Sequence, residues 1–197
     1  MAIESLPTPI SAPINPYQHA FAEVDEFWDV YDHRNPTQSD SEVSKILSKK
    51  SDLALAWIAN SDFKPASGKL IERMKNSKIT QFSALVEIVL PLYSNAKRTI
   101  AVEDFRDDNL FWSAVRHSVK MAPTANQEDV AHSVARFVQN VNPINRALIV
   151  AILSKRGDIE EVLDRAETLL APDDDIDRYL SKIEDEVTAL RKTEHAS

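Results

Sequence analysis

Glycine occurs only twice in 197 residues, at Gly68 and Gly157. Sheets joined by tight turns use glycine repeatedly, because such turns need a positive φ that other residues resist. Phosphate-cradling loops need it for close backbone approach, so Walker and Rossmann loops are excluded. The chain is therefore read as all-α: a compact multi-helix bundle of about seven to ten helices, with a Pro-rich N-terminal arm and an acidic C-terminal helix. An apolar content of 43% and a charged content of 27% are those of a chain that builds a core, not of a disordered one.

Three parts are expected. Residues 1–16 (MAIESLPTPISAPINP) form an extended arm, because Pro7, Pro9, Pro13 and Pro16 forbid regular helix. Its Ile3, Leu6, Ile10 and Ile14 are candidate anchors on the protein's own core or on a neighbouring subunit, against the alternative of a solvated terminus. Residues 17–170 form the helical domain, and residues 171–197 an acidic C-terminal helix and tail.

Within the domain, apolar residues at three-and-four spacing place a first helix over Tyr17–Tyr31, ended by Asn35-Pro36. Others start at Ser39 or Asp40, at Leu53 after Ser51-Asp52, and at Pro65. A long element from Thr80 should kink before Pro91, and Thr99–Val102 reads equally as helix or extended chain. Asp107-Asp108 opens the next helix. Three helices then follow in Val130–Leu170, broken at Asn142-Pro143 and at Gly157-Asp158, where a left-handed glycine and a capping aspartate are expected. The middle one, INRALIVAIL, is apolar on almost every side and is expected to be the hub of the core. In the last helix Ile176, Leu180, Ile183, Val187 and Leu190 make a heptad seam, suited to docking on the body or to pairing with a partner helix.

Motifs for chemistry are few. There is no cysteine, hence no disulfide and no thiolate site. The histidines (His19, His33, His117, His132, His195) show neither HExxH nor paired ligand spacing, and no serine stands in a nucleophile elbow. Asp173, Asp175, Asp177 and Glu184 match an EF-hand numerically, yet Arg178 stands where the loop needs glycine, so the stretch is read as an acidic helix start. Arg156-Gly157-Asp158 spells an adhesion tripeptide but is explained by helix ends. Catalytic, cofactor-binding and metal-binding residues are therefore given as none. No secretory leader, apolar span or N-glycosylation acceptor is legible, so an intracellular, cytoplasmic location is expected.

Charge is unevenly spread. Residues 1–63 carry a net −6, residues 64–156 a net +6, and residues 157–197 a net −8. Either the basic middle binds polyanions, with Lys97, Arg98, Arg116, Lys120 and Arg136 as candidates, or the acidic ends fold back on a basic body. The second is preferred. The leading expectation is a non-catalytic assembly or adaptor protein whose partner is protein, itself or another, with no membrane contact. The alternative is a nucleic-acid-coating, capsid-like subunit, which would sit within a virion. The stretch Ala96–Glu103 (AKRTIAVE) between helices resembles coat proteins of rod-shaped plant viruses, without a fixed motif and without accounting for the last helix, so it assigns no family. A lower alternative is an enzyme with a site assembled from scattered helices, for which facing Glu-x-x-His pairs are lacking.

Overall fold

The computed structural model describes residues 16–32, 40–89, 110–138 and 143–195, and among these residues there is no strand. Among the described residues ten α-helices follow one another: α1 (Pro16–Asp32), α2 (Asp40–Ser48), α3 (Asp52–Asn60), α4 (Lys64–Lys75), α5 (Phe82–Val89), α6 (Leu110–Met121), α7 (Gln127–Val138), α8 (Pro143–Leu153), α9 (Ile159–Thr168) and α10 (Asp174–His195). A 3-10 turn, Ala122–Thr124, joins α6 to α7. The arm with Ile3, Leu6, Ile10 and Ile14, the Asn35-Pro36 stop, the Pro91 kink, Thr99–Val102, and the candidates Lys97 and Arg98 lie outside the described residues.

The centre of the core is α3 with α5, not α8. Every residue from Asp52 to Ala59 and from Phe82 to Val89 is buried. Packing explains it: α3 lies against α1, α4 and α5, and α5 lies against α3, α6 and α7. The helix read as the hub, α8, packs mainly on α10 and α6, burying Ile149, Ile152 and Leu153 while Ala147 is exposed. An all-round apolar sequence shows that a helix tolerates burial, but not how many neighbours it meets. Burying a Leu, Ile or Phe side chain contributes about 1.5–3 kcal/mol, and α3 and α5 concentrate that gain.

The ends of these two helices are tied by side chains from distant segments. Ser51 Oγ accepts from the Ala54 amide at 3.2 Å, as an N-cap should. Gln81 Oε1 accepts from the Leu53 amide at 3.0 Å, and the Glu23 carboxylate of α1 accepts from the Ser51 amide at 3.1 and 3.2 Å. At the start of α5, Asp129 Oδ2 accepts from the Phe82 amide at 2.6 Å, while Asp52 Oδ2 accepts from the Thr80 amide at 2.8 Å. Negative charge at a helix N-terminus is favoured by the aligned peptide dipoles. Arg73 joins the other Asp52 oxygen at 2.5 Å and donates to the carbonyls of Ser48 and Lys50, closing the C-terminal end of α2.

The turn at Gly157 differs from its sequence reading. Neither glycine has a positive φ; that conformation falls to Asp62 (60°) and Ser77 (53°), just after α3 and α4. Asp158 stands at the N-cap of α9, as expected, but its side chain makes no capping hydrogen bond. Its carboxylate instead receives Nε and Nη2 of Arg156 at 2.9 and 2.7 Å, and Arg156 Nη1 donates to the carbonyls of Ala122 and Ala125. Arg156 is 4% exposed, so the tripeptide is an internal clamp on the α6–α7 turn and not a displayed adhesion loop.

The C-terminal helix belongs to the body. Asp173 Oδ1 caps α10 by accepting from the Asp175 amide at 2.9 Å. Leu180, Ile183 and Val187 are buried, with Ile176 and Leu190 half-buried, where α10 packs on α8 and α9. Ion pairs flank the seam, Arg146–Glu186 at 3.2 Å and Lys155–Glu194 at 2.7 Å. Arg191 donates to the carbonyls of Ser154 and Arg156, closing the end of α8. The central residues of the candidate partner-helix seam are thus consumed within the chain.

Candidate functional site

A lone carboxylate in an apolar run can be buried only if it is paired. Glu87, in FSALVEIV of α5, is 2% exposed. Arg136 of α7 donates Nε to Glu87 Oε1, and Trp57 of α3 donates its indole N–H to Oε2 at 3.0 Å. Asn60 donates to the Glu87 main-chain carbonyl at 3.1 Å. The Arg136 guanidinium lies 4.9 Å from the Tyr17 ring centroid and 5.3 Å from that of Trp57, within cation–π range. Burial pushes the Glu87 carboxyl above its usual range, with the Arg136 charge and hydrogen bond opposing it. The Tyr17 hydroxyl is pushed up by its own burial first and by Glu87 second. Four helices, α1, α3, α5 and α7, are therefore joined through one ion pair between aromatic rings.

Beside this junction an open cleft of about 260 Å³ lies between α1, α7 and the end of α9. Phe21, Leu169 and Leu170 supply its apolar lining, and His132 and Arg136 its polar edge. His132 Nε2 stands 3.3 Å from Glu128 Oε1. Glu128 also receives two hydrogen bonds from Arg165, at 2.6 and 2.8 Å, which hold its carboxyl below the usual range. Its volume falls below the roughly 300–1,000 Å³ of ordinary ligand pockets. Among the described residues, no group of three or more His, Asp or Glu is arranged to hold a metal ion. No helix among them is long and apolar enough to cross a membrane.

Three of the polyanion candidates, Arg116, Lys120 and Arg136, lie among the described residues. Arg136 is committed to Glu87, while Arg116 and Lys120 are exposed on α6. Elsewhere in the basic middle, Arg73 meets Asp52, Arg146 meets Glu186, Lys155 meets Glu194 and Arg156 meets Asp158. These four cations of the basic middle are thus paired with carboxylates of the flanking acidic regions. Lys75 and Lys78 at the end of α4, and Arg116, Val119 and Lys120 on α6, are exposed. The His117 ring, with Nε2 at 2.9 Å from the Met74 carbonyl oxygen, places these two elements together.

The outer side of α1 carries exposed Asp25, Glu26 and Asp29, of which Glu26 pairs with Lys50, while Phe21 and Val30 are exposed on opposite edges of the helix and Phe21 stacks on Trp57 with ring centroids 4.1 Å apart. The sequence reading passed over this face, and over Glu87 and Asp52. Glu87 had a signal, a single charge in an eight-residue apolar helix. Comparison with protein-family models, with curated proteins and with solved structures returned no match.

Proposed function

We propose that the protein is a non-catalytic helical assembly protein that acts through protein–protein contacts and self-associates. The observation that carries this reading is where apolar surface remains. Phe21, Val30 and Val119 are the large hydrophobic side chains exposed among the described residues, and all three sit on outer faces of α1 and α6 studded with charge. Apolar residues within a charged rim are the composition of an interaction surface. The buried carboxylates Asp52 and Glu87, by contrast, serve as ties between helices. Sedimentation velocity across a hundredfold concentration range tests the reading. Species larger than the 22.2 kDa chain are expected to grow with concentration, and a single monomer boundary throughout would refute it. Deleting residues 1–16 is expected to lower the assembly state while leaving the helical circular dichroism nearly unchanged.

A nucleic-acid-coating role is the second reading, supported by exposed Lys75, Lys78, Arg116 and Lys120. Binding to single-stranded RNA that weakens steeply with salt would favour it, because each phosphate contact releases counterions. A net charge of −8 works against it at long range.

A further inference from the structure

We infer that two copies of the chain exchange their arms, the row of Leu6, Ile10 and Ile14 in each seating in the other's cleft between α1, α7 and the end of α9. The inference rests on the self-association reading and names its surface. The cleft is the first observation. Phe21, Leu169 and Leu170 line it, and Phe21 keeps 41% of its surface exposed although its ring stacks on Trp57. At about 260 Å³ the cleft is short of an ordinary ligand pocket and of a size for aliphatic side chains. The second observation is where the arm is rooted. Tyr17, Gln18 and Phe21, in the first two turns of α1, form one wall of the cleft, so residues 1–15 join α1 at its rim. Glu4 is the one charged side chain in residues 1–15, so seating the arm desolvates little charge.

The sequence of the arm selects a neighbour's cleft over its own. To enter the adjoining cleft, the chain must reverse within a residue or two of Pro16, which is already helical. Asn15 precedes that proline and is steered to extended geometry, as Ala12 is by Pro13, whose own φ is fixed near about −65°. These restraints carry the arm outward, toward another copy. Side chains alternate along an extended chain, so Leu6, Ile10 and Ile14, four residues apart, share one face. At about 3.3 Å per residue, Ile10 reaches about 20 Å from Pro16, enough to cross to a facing copy. Because the root of the arm and the acceptor cleft lie side by side, a two-fold axis at the cleft lets each copy give and receive one arm, and the exchange closes at the dimer. A root distant from its acceptor would instead propagate the contact into a ring or an open chain.

Cross-linking tests it, because the chain has no cysteine of its own. Leu6→Cys, Ile10→Cys and Ile14→Cys are each combined with Gln18→Cys, an exposed position on the cleft wall. Under mild oxidation at least one pair is expected to give a covalent dimer, at twice the 22.2 kDa chain mass and reversed by reductant. Oxidised products that stay monomeric would overturn the exchange by placing the arm in its own cleft, and the absence of any cross-link in all three pairs would overturn it too. Ile10→Asp with Ile14→Asp is expected to keep the wild-type circular dichroism spectrum and to weaken dimerisation at least about tenfold, because a carboxylate resists the apolar seat. Gln18→Trp, which fills the cleft from an exposed position, is expected to do the same. Dimerisation unchanged in either variant would overturn the arm exchange while leaving self-association standing, as would wild-type species that grow past the dimer. A wild type that is monomeric throughout would remove the self-association reading together with the exchange.

Discussion

Glu87 and Arg136 show how one buried charge organises its surroundings. Removing one partner leaves the other desolvated and unmatched, so Glu87→Ala is expected to cost about 3 kcal/mol in urea unfolding. Replacing both, as Glu87→Leu with Arg136→Leu, is expected to fall within about 1 kcal/mol of wild type, because apolar packing substitutes well for a desolvated pair. A double variant as damaged as the single one would shift the credit from the ion pair to the stacking of Arg136 on Tyr17 and Trp57. The carboxylate was legible in the sequence as an interruption of an apolar run. Its partner was not, because nothing in QEDVAHSVARFV states which helix Arg136 faces, and the residue read as surface charge. Arg156 misled in the same way: a tripeptide seen along the chain hides that its first side chain turns inward to the carbonyls of Ala122 and Ala125.

Among the elements, helix positions were legible and their neighbours were not. Proline, serine and aspartate at helix starts act within one turn, so Ser51, Pro65 and Asp173 marked α3, α4 and α10 from local chemistry alone. The order of layers depends on contacts between distant segments, and α3–α5 therefore took the central place expected of α8. Ile58→Asp is expected to unfold the protein, since a buried unpaired carboxylate costs several kcal/mol, on the order of the whole folding stability. Ala147→Asp, on the exposed side of α8, is expected to melt within a few degrees of wild type. Equal damage from the two would restore α8 as the centre. For α10 the heptad gave the apolar face but not its acceptor. Ile183→Glu with Leu190→Glu is expected to lower the melting temperature, because Ile183 is fully buried on the body; an unchanged melt would mean that α10 does not pack there.

For the whole molecule, the paired charges set the response to acid. Hydrogen bonds from Arg156 and Arg165 hold Asp158 and Glu128 below the usual carboxylate range. A carboxyl lowered on folding adds stability that is present above its unfolded value and lost as pH falls through its folded one. Glu87, raised by burial, has the opposite sign: its contribution is full below the unfolded value and is lost as pH rises through the folded one. The melting temperature is thus expected to fall between about pH 5 and pH 2, with a shallower slope in Asp158→Asn. An unaltered slope would mean that the Arg156 clamp does not report on pH. The way α10 closes the structure also has a consequence during synthesis. The apolar sides of α8 and α9 that accept Leu180, Ile183 and Val187, and the carbonyls of Ser154 and Arg156 that await Arg191, are made before the helix that covers them. At about 5–20 residues per second, the growing chain therefore carries a sticky, uncapped surface for seconds. A released chain truncated just before residue 174 should present that surface as a substrate for chaperones.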